Sequence, residues 1–133
     1  MATAKSLTAQ EIQKVYAYID QHAYAERNRL MLTLTIAAGL RVSEVAGLTI
    51  SDVRNYDETV RSEIYLASHR VKHGHARTIF LNARLQQELA TYIASRKWLY
   101  DDQPLFNTHR GQRCAFSANT LTQHFYWLYK NAG

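Results

Sequence analysis

Residues 30–40 read Leu-Met-Leu-Thr-Leu-Thr-Ile-Ala-Ala-Gly-Leu. As part of a helix over about Ala25–Ala38, with Leu30, Met31, Leu32, Leu34 and Ile36, this run is apolar on nearly every side, so other elements must cover it. It is broken by threonines and too short to span a bilayer, so the spacing predicts a buried central helix. Gly39 is a natural stop, because glycine accepts the left-handed backbone that ends many helices. A chain of 133 residues buries roughly two thirds of its unfolded surface, enough for one core, so we read one domain over 1–133. With only five glycines and one proline, few turns are encoded, which favours helices over a many-stranded sandwich.

The rest of the chain supplies the cover. Thr8-Ala9-Gln10-Glu11 has the form of a capping box and opens a helix of about 9–22, with Ile12, Val15, Tyr16 and Ile19 on one face. A short helix is expected at about Val42–Gly47, then a turn at Ser51-Asp52. The period next changes to two. Glu63–Leu66 and Ala76–Leu81 are rich in strand formers and flank a polar stretch centred on Gly74, predicting a hairpin with its tip near 73–75. Asn82 can cap a helix of about 83–98, with Leu85, Leu89, Tyr92 and Ile93 inward. A loop over about 100–116 leads to a last helix of about 118–131 carrying Leu121, Phe125, Leu128 and Tyr129. The expected fold class is α+β, mainly helical, with about five helices and a small three-stranded antiparallel sheet.

Charge narrows the partners. The net charge is +5, and it is uneven: residues 1–53 hold five Lys/Arg and five Asp/Glu, residues 54–133 eleven and six. A basic second half suits a polyanion, although a moderately basic soluble protein would look the same. The one cysteine, Cys114, cannot form an internal disulfide, and Met1–Lys5 lacks an apolar signal core; a cytoplasmic location and no membrane partner are the expectation. His69, His73 and His75 with distant Cys114 match no standard zinc spacing, so no metal is expected.

The most informative segment is Gly39-Leu40-Arg41-Val42-Ser43-Glu44-Val45-Ala46-Gly47-Leu48, followed by Asp52-Val53. An arginine directly after a helix stop and one apolar residue sits at a turn. There its guanidinium can leave the core and grip two oxygens of an anion, which lysine cannot do. Glu44, one helical turn on, can hold Arg41 in place; a plain surface Arg–Glu pair, worth little, is the bland alternative. Downstream, Arg70-Val71-Lys72-His73-Gly74-His75-Ala76-Arg77 places a lysine before a glycine-containing tip and an arginine five residues later, ahead of an apolar strand. Cationic side chains at a hairpin tip suit phosphate contact.

Together these two segments resemble the tyrosine recombinases, the phage-integrase type of DNA strand transferase. The first matches that family's first arginine box and the second its β-hairpin. Leu7-Thr8 with Glu11-Ile12, and Leu105-Phe106 followed by the last helix, extend the likeness over nearly the whole chain. The resemblance implies the catalytic-domain fold, cutting and rejoining of duplex DNA through a covalent 3′-phosphotyrosine, and no metal or nucleotide cofactor. It implies Arg41 and Lys72 as catalytic residues, with Glu44 in support and Arg70, His73, His75 and Arg77 facing DNA. In such a site an arginine stabilises the crowded phosphorane more than the ground state, and a lysine over the minor groove protonates the leaving 5′ oxygen.

The family's His-x-x-Arg box and tyrosine nucleophile have no match in residues 1–133. Tyr126 and Tyr129 fall at helix-packing spacing. The expectation is therefore a partial catalytic domain, truncated before these landmarks and inactive alone, whose partners are duplex DNA and a second copy or a full-length recombinase. Its cut edge would expose apolar patches around Leu121, Phe125 and Leu128, met by self-association or by a rearranged terminal helix that covers the gap. Two other classes stay open. One is a non-catalytic DNA-binding protein or recombinase antagonist. The other is a helix-turn-helix-like regulator, for which Thr35 replaces the usual small residue before Gly39.

Overall fold

The computed structural model describes residues 7–72, 74–96, 100–111 and 113–133. Six α-helices and one two-stranded antiparallel sheet make up the α+β architecture among them. Helix α1 spans Ala9–Asp20, and its capping box forms as the sequence predicts: the Thr8 hydroxyl accepts the Glu11 amide and Glu11 accepts the Thr8 amide. Helix α2, Ala25–Ile36, is the central helix, with Leu30, Met31, Leu32 and Leu34 all buried. It ends where Gly39 turns left-handed at φ 78°, and the Leu40 amide closes back on the Leu34 carbonyl at 3.1 Å. Helix α3 follows at Val42–Ala46 and places Val45 and Ala46 in the core.

The expected turn at Ser51-Asp52 is instead a four-residue helix, α4, Ile50–Val53. Its N-cap Thr49 donates its amide and hydroxyl to Asp52 (2.8 and 3.1 Å), a box too short to be seen by periodicity. Strands β1, Glu63–Leu66, and β2, Arg77–Phe80, pair antiparallel with Glu63 opposite Phe80 and Leu66 opposite Arg77. The expected third strand is absent from the sheet among the described residues, and outside it Arg54 and Val60 form an isolated antiparallel bridge. A strand there would need a run of alternating residues, and Asn55-Tyr56-Asp57-Glu58 makes a tight turn instead, with Glu58 at φ 71°. One face of the sheet buries Ile64 and Leu66, while Tyr65 and Phe80 point to solvent.

Helix α5, Ala83–Ala94, is capped by Asn82, whose side chain accepts the Leu85 amide at 2.8 Å. It is shorter than the sequence suggested; residues 97–99 lie outside the described ones. Helix α6, Ala118–Ala132, packs against α1 and α3 and fully covers Leu121, Phe125 and Leu128. The expected apolar patches at these three residues are therefore absent: α1 and α3 already sit over that face. The exposed aromatics of α6 are Tyr126 and Trp127, on its other side. No helix among the described residues is long and apolar enough to cross a membrane.

Candidate functional site

The turn after α2 presents Arg41 as the N-cap of α3, in extended backbone. Its amide donates to Glu44 Oε1 at 2.8 Å. This is half of a capping box, because an arginine side chain has no acceptor to offer in return. Glu44 is 3% exposed, and the same oxygen accepts Arg77 Nη2 at 2.5 Å. Arg77 Nη2 also reaches the Gly39 carbonyl at 3.1 Å. Glu44 thus fixes the main chain of Arg41, not its guanidinium, and spends its charge on Arg77. Glu44 Oε2 and Arg77 Nε are buried with no hydrogen-bond partner among the described residues. The Arg41 guanidinium, half-buried, has no hydrogen bond or ion pair among the described residues.

A second ion pair ties the hairpin to the same segment. Arg70 ends a 3-10 turn at Ser68–Arg70 and grips Asp52 with both prongs, Nη1 to Oδ1 at 2.9 Å and Nη2 to Oδ2 at 2.8 Å. Nη2 also approaches the Gly47 carbonyl at 3.3 Å. Burial pushes the Asp52 carboxyl up, but the Arg70 hydrogen bond, the Thr49 amide, the Arg70 charge and the Thr49 hydroxyl outweigh it and hold it below the usual carboxylate range. Asp52 in turn raises Arg70.

Lys72 and His75 lie between these two arginines and are exposed, and Lys72 has no partner among the described residues. His73 lies outside the described residues. The structure therefore brings Arg41, Glu44 and Arg77 together at one point and Arg70 and Asp52 at another, with Lys72 on the connecting tip. Asp52, quoted in the sequence with the Arg41 segment but given no role there, is the partner of Arg70; a pairing across 18 positions leaves no local signal, though Thr49-Ile50-Ser51-Asp52 could have shown the cap.

Sequence reasoning also missed a buried guanidinium in α2. Arg27 donates Nε and Nη2 to Asn28 Oδ1 (3.1 and 3.0 Å) and Nη1 to the Asn107 carbonyl (3.1 Å), and lies over the rings of Tyr24 and Phe116. His124 Nε2 sits 2.9 Å from the same Asn28 oxygen, so the network assigns its proton to Nε2. Burial and then the Arg27 charge push His124 down to about 4.

The two tyrosines of α6 differ. Tyr129 stacks on Phe125 with ring centroids 6.1 Å apart, and burial raises its phenol, with the neighbouring Tyr16 adding to the rise. Tyr126 is not packed as its spacing suggested; it is 59% exposed and meets the edge of Trp127.

Compared with known proteins, residues 5–133 match the model of the family described as the phage integrase family. A tyrosine recombinase, XerA, of Pyrococcus horikoshii is 36% identical over 110 residues, which cover 82% of this chain and 34% of that protein. XerA of Pyrococcus furiosus is 34% identical over 100 residues, covering 75% and 31%. The chain thus spans about a third of the length of the curated relatives it matches. A crystal structure of XerA recombinase superposes with a TM-score of 0.73 at 24% identity, over the whole of this chain and 44% of that one. The Tn1549 transposon integrase, solved in complex with circular intermediate DNA, gives 0.66 at 19% identity, over 98% of this chain and 46% of that one. These two structures share the fold.

Proposed function

The chain belongs to the phage integrase family, and from that premise we propose that Arg41 and Lys72 form one half of a DNA strand-transfer site for site-specific recombination. The observation that carries this reading is Arg41 itself. Its main chain is clamped by a buried carboxylate, while its guanidinium has no partner among the described residues. A fork whose backbone is fixed and whose guanidinium is unspent is available to an anion, and it stabilises most the charge that builds on the phosphorane.

Lys72, exposed on the hairpin tip, is the proposed proton donor to the leaving oxygen. His75, with His73, is the proposed phosphate contact, and Arg70 and Arg77, each paired with a carboxylate, flank Lys72 and His75 in the chain. Duplex DNA is the partner that this face and the basic second half of the chain suit. The tyrosine and His-x-x-Arg functions have no match within residues 1–133, so the covalent step needs residues from beyond this stretch, in the same polypeptide or in a full-length recombinase bound beside it.

The test is titration of a labelled duplex at low and physiological salt. Binding with a dissociation constant of roughly 10⁻⁴–10⁻⁶ M at physiological salt, weakening steeply as salt rises, is the expected result. Salt-independent binding, or none at low salt, contradicts the reading. On a denaturing gel with a nicked suicide duplex, residues 1–133 alone are expected to give no covalent adduct. An adduct that disappears in Tyr126→Phe or Tyr129→Phe would mean that the site is built around a different tyrosine.

A further inference from the structure

We propose that Arg70 and Asp52 are a positioning pair that braces the Lys72 tip against the turn carrying Arg41, and that Arg70 is not itself a DNA contact. The inference rests on the assignment of Arg41 and Lys72 as the half-site. Three observations carry it.

First, the Arg70 guanidinium is spent. It makes a two-pronged contact with Asp52 and a further contact with the Gly47 carbonyl, and its side chain is 26% exposed against 14% for Asp52. To grip a phosphate it would have to release a partly buried carboxylate that has no other cation beside it among the described residues. Second, the carboxylate is itself anchored. Asp52 Oδ2 accepts the Thr49 amide and hydroxyl, so Arg70 is tied to a fixed helix end and not to a swinging side chain.

Third, the brace has a counterpart. On the far leg of the tip, Arg77 is bound to Glu44 and to the Gly39 carbonyl. Residues 71–76 therefore run between two guanidinium–carboxylate pairs, both made to residues 39–52, the stretch that carries Arg41. Next to Arg70 the chain closes two successive turns, Val71 amide to Ser68 carbonyl at 3.3 Å and then Gly74 amide to Val71 carbonyl at 2.9 Å. Lys72 lies inside the second turn, two residues from the brace. Fixing its backbone limits where its ammonium can reach, which is what a proton donor to one particular oxygen requires.

The test compares Arg70→Gln, Asp52→Asn and Lys72→Gln in the chain as it stands, with two readouts. One is the slope of log affinity for duplex DNA against log salt, whose magnitude falls by about 0.9 for each phosphate that the protein ceases to neutralise. The other is hydrogen exchange at the Val71 and Gly74 amides, with Met31 and Leu32 as core controls. Lys72→Gln is expected to lower the slope by about 0.9 and leave exchange unchanged. Arg70→Gln is expected to keep the slope within about 0.3 of wild type and to speed exchange at Val71 and Gly74 about tenfold or more, with the core controls unmoved.

Asp52→Asn is expected to reproduce Arg70→Gln, and the double variant to add little, since both remove the same ion pair. Arg70→Lys, a point charge without a fork, is expected to restore only part of the protection. If Arg70→Gln does not fold, Arg70→Lys and Asp52→Asn carry the same comparison. A slope lowered by about 0.9 in Arg70→Gln with exchange at Gly74 unchanged overturns the proposal. If the wild type binds no duplex, the strand-transfer reading fails, while the exchange data still decide whether the brace exists.

Discussion

The turn around Arg41 and the hairpin tip around Lys72 carry the two proposed chemical groups, and they are built in opposite ways. The turn is buried and over-determined: Gly39 sets the reversal, Leu40 and Val45 fill the core, and a carboxylate 3% exposed binds the Arg41 amide. The tip is polar and exposed, with Lys72 and His75 in solvent, and it is held from its two legs by arginines. One group has its backbone fixed at its own position; the other borrows its position from side chains two and five residues away. The difference suits the chemistry. Stabilising charge on a phosphorane calls for a rigid donor, whereas a proton donor must approach a leaving group once DNA is in place.

That contrast can be broken most severely at Glu44. Glu44→Ala strips the Arg41 amide and the Arg77 guanidinium of their shared acceptor, and urea unfolding is expected to show a destabilisation of about 2–4 kcal/mol. Glu44→Gln, which keeps an acceptor and loses the charge, is expected to cost less. A change within about 0.5 kcal/mol for Glu44→Ala would mean that the turn is held by packing alone.

Acid should act on two groups in different windows, His124 in the Arg27–Asn28 network of α2 and α6, and Asp52 under the tip. His124 is depressed to about 4 from an ordinary value near 6.5, so the unfolded chain binds its proton first. Stability attached to it is fully present above about pH 6.5 and is lost as pH falls toward 4. Asp52 is also depressed, so its share is present above the ordinary carboxylate value and is lost as pH falls from that value through its lowered one. Thermal melts across pH check this: His124→Phe is expected to flatten the upper window alone, and Asp52→Asn the lower. A wild-type melting temperature flat from about pH 6.5 to 4 contradicts the account of His124.

A smaller effect is expected at the scaffold. Asn82→Ala removes the cap of α5 and should cost about 1 kcal/mol without altering the salt slope of DNA binding. Smallest of all for stability is Lys72→Ala, expected within about 0.5 kcal/mol of wild type because the side chain is exposed and has no partner among the described residues.

What was legible in the chain follows the range of the forces. Caps and apolar periods act over three or four residues, so the Thr8–Glu11 box, the Gly39 stop, the β1 limits and the Asn82 cap could all be read directly. Helix α4 escaped because four residues are about one helical turn and show no period. The expected third strand had no residues assigned to it in the sequence, and the sheet among the described residues has two strands. At the site, Arg41 and Lys72 were visible from their neighbours. Their supports were not, since Arg77 finds Glu44 across 33 positions and Arg70 finds Asp52 across 18. The buried Arg27–Asn28–His124 group was hidden for the same reason.

The central claim is that Arg41 is held by its main chain while its guanidinium is kept for a phosphate. Arg41→Ala tests it directly, since truncation leaves the hydrogen bond from the main-chain amide to Glu44 intact. Duplex titrations across salt and urea unfolding of the same variant are the measurement. The predicted result is a slope reduced by about 0.9, one phosphate, with stability unchanged within about 0.5 kcal/mol. An unchanged slope together with a destabilisation above about 1 kcal/mol would make Arg41 a structural residue and contradict the claim.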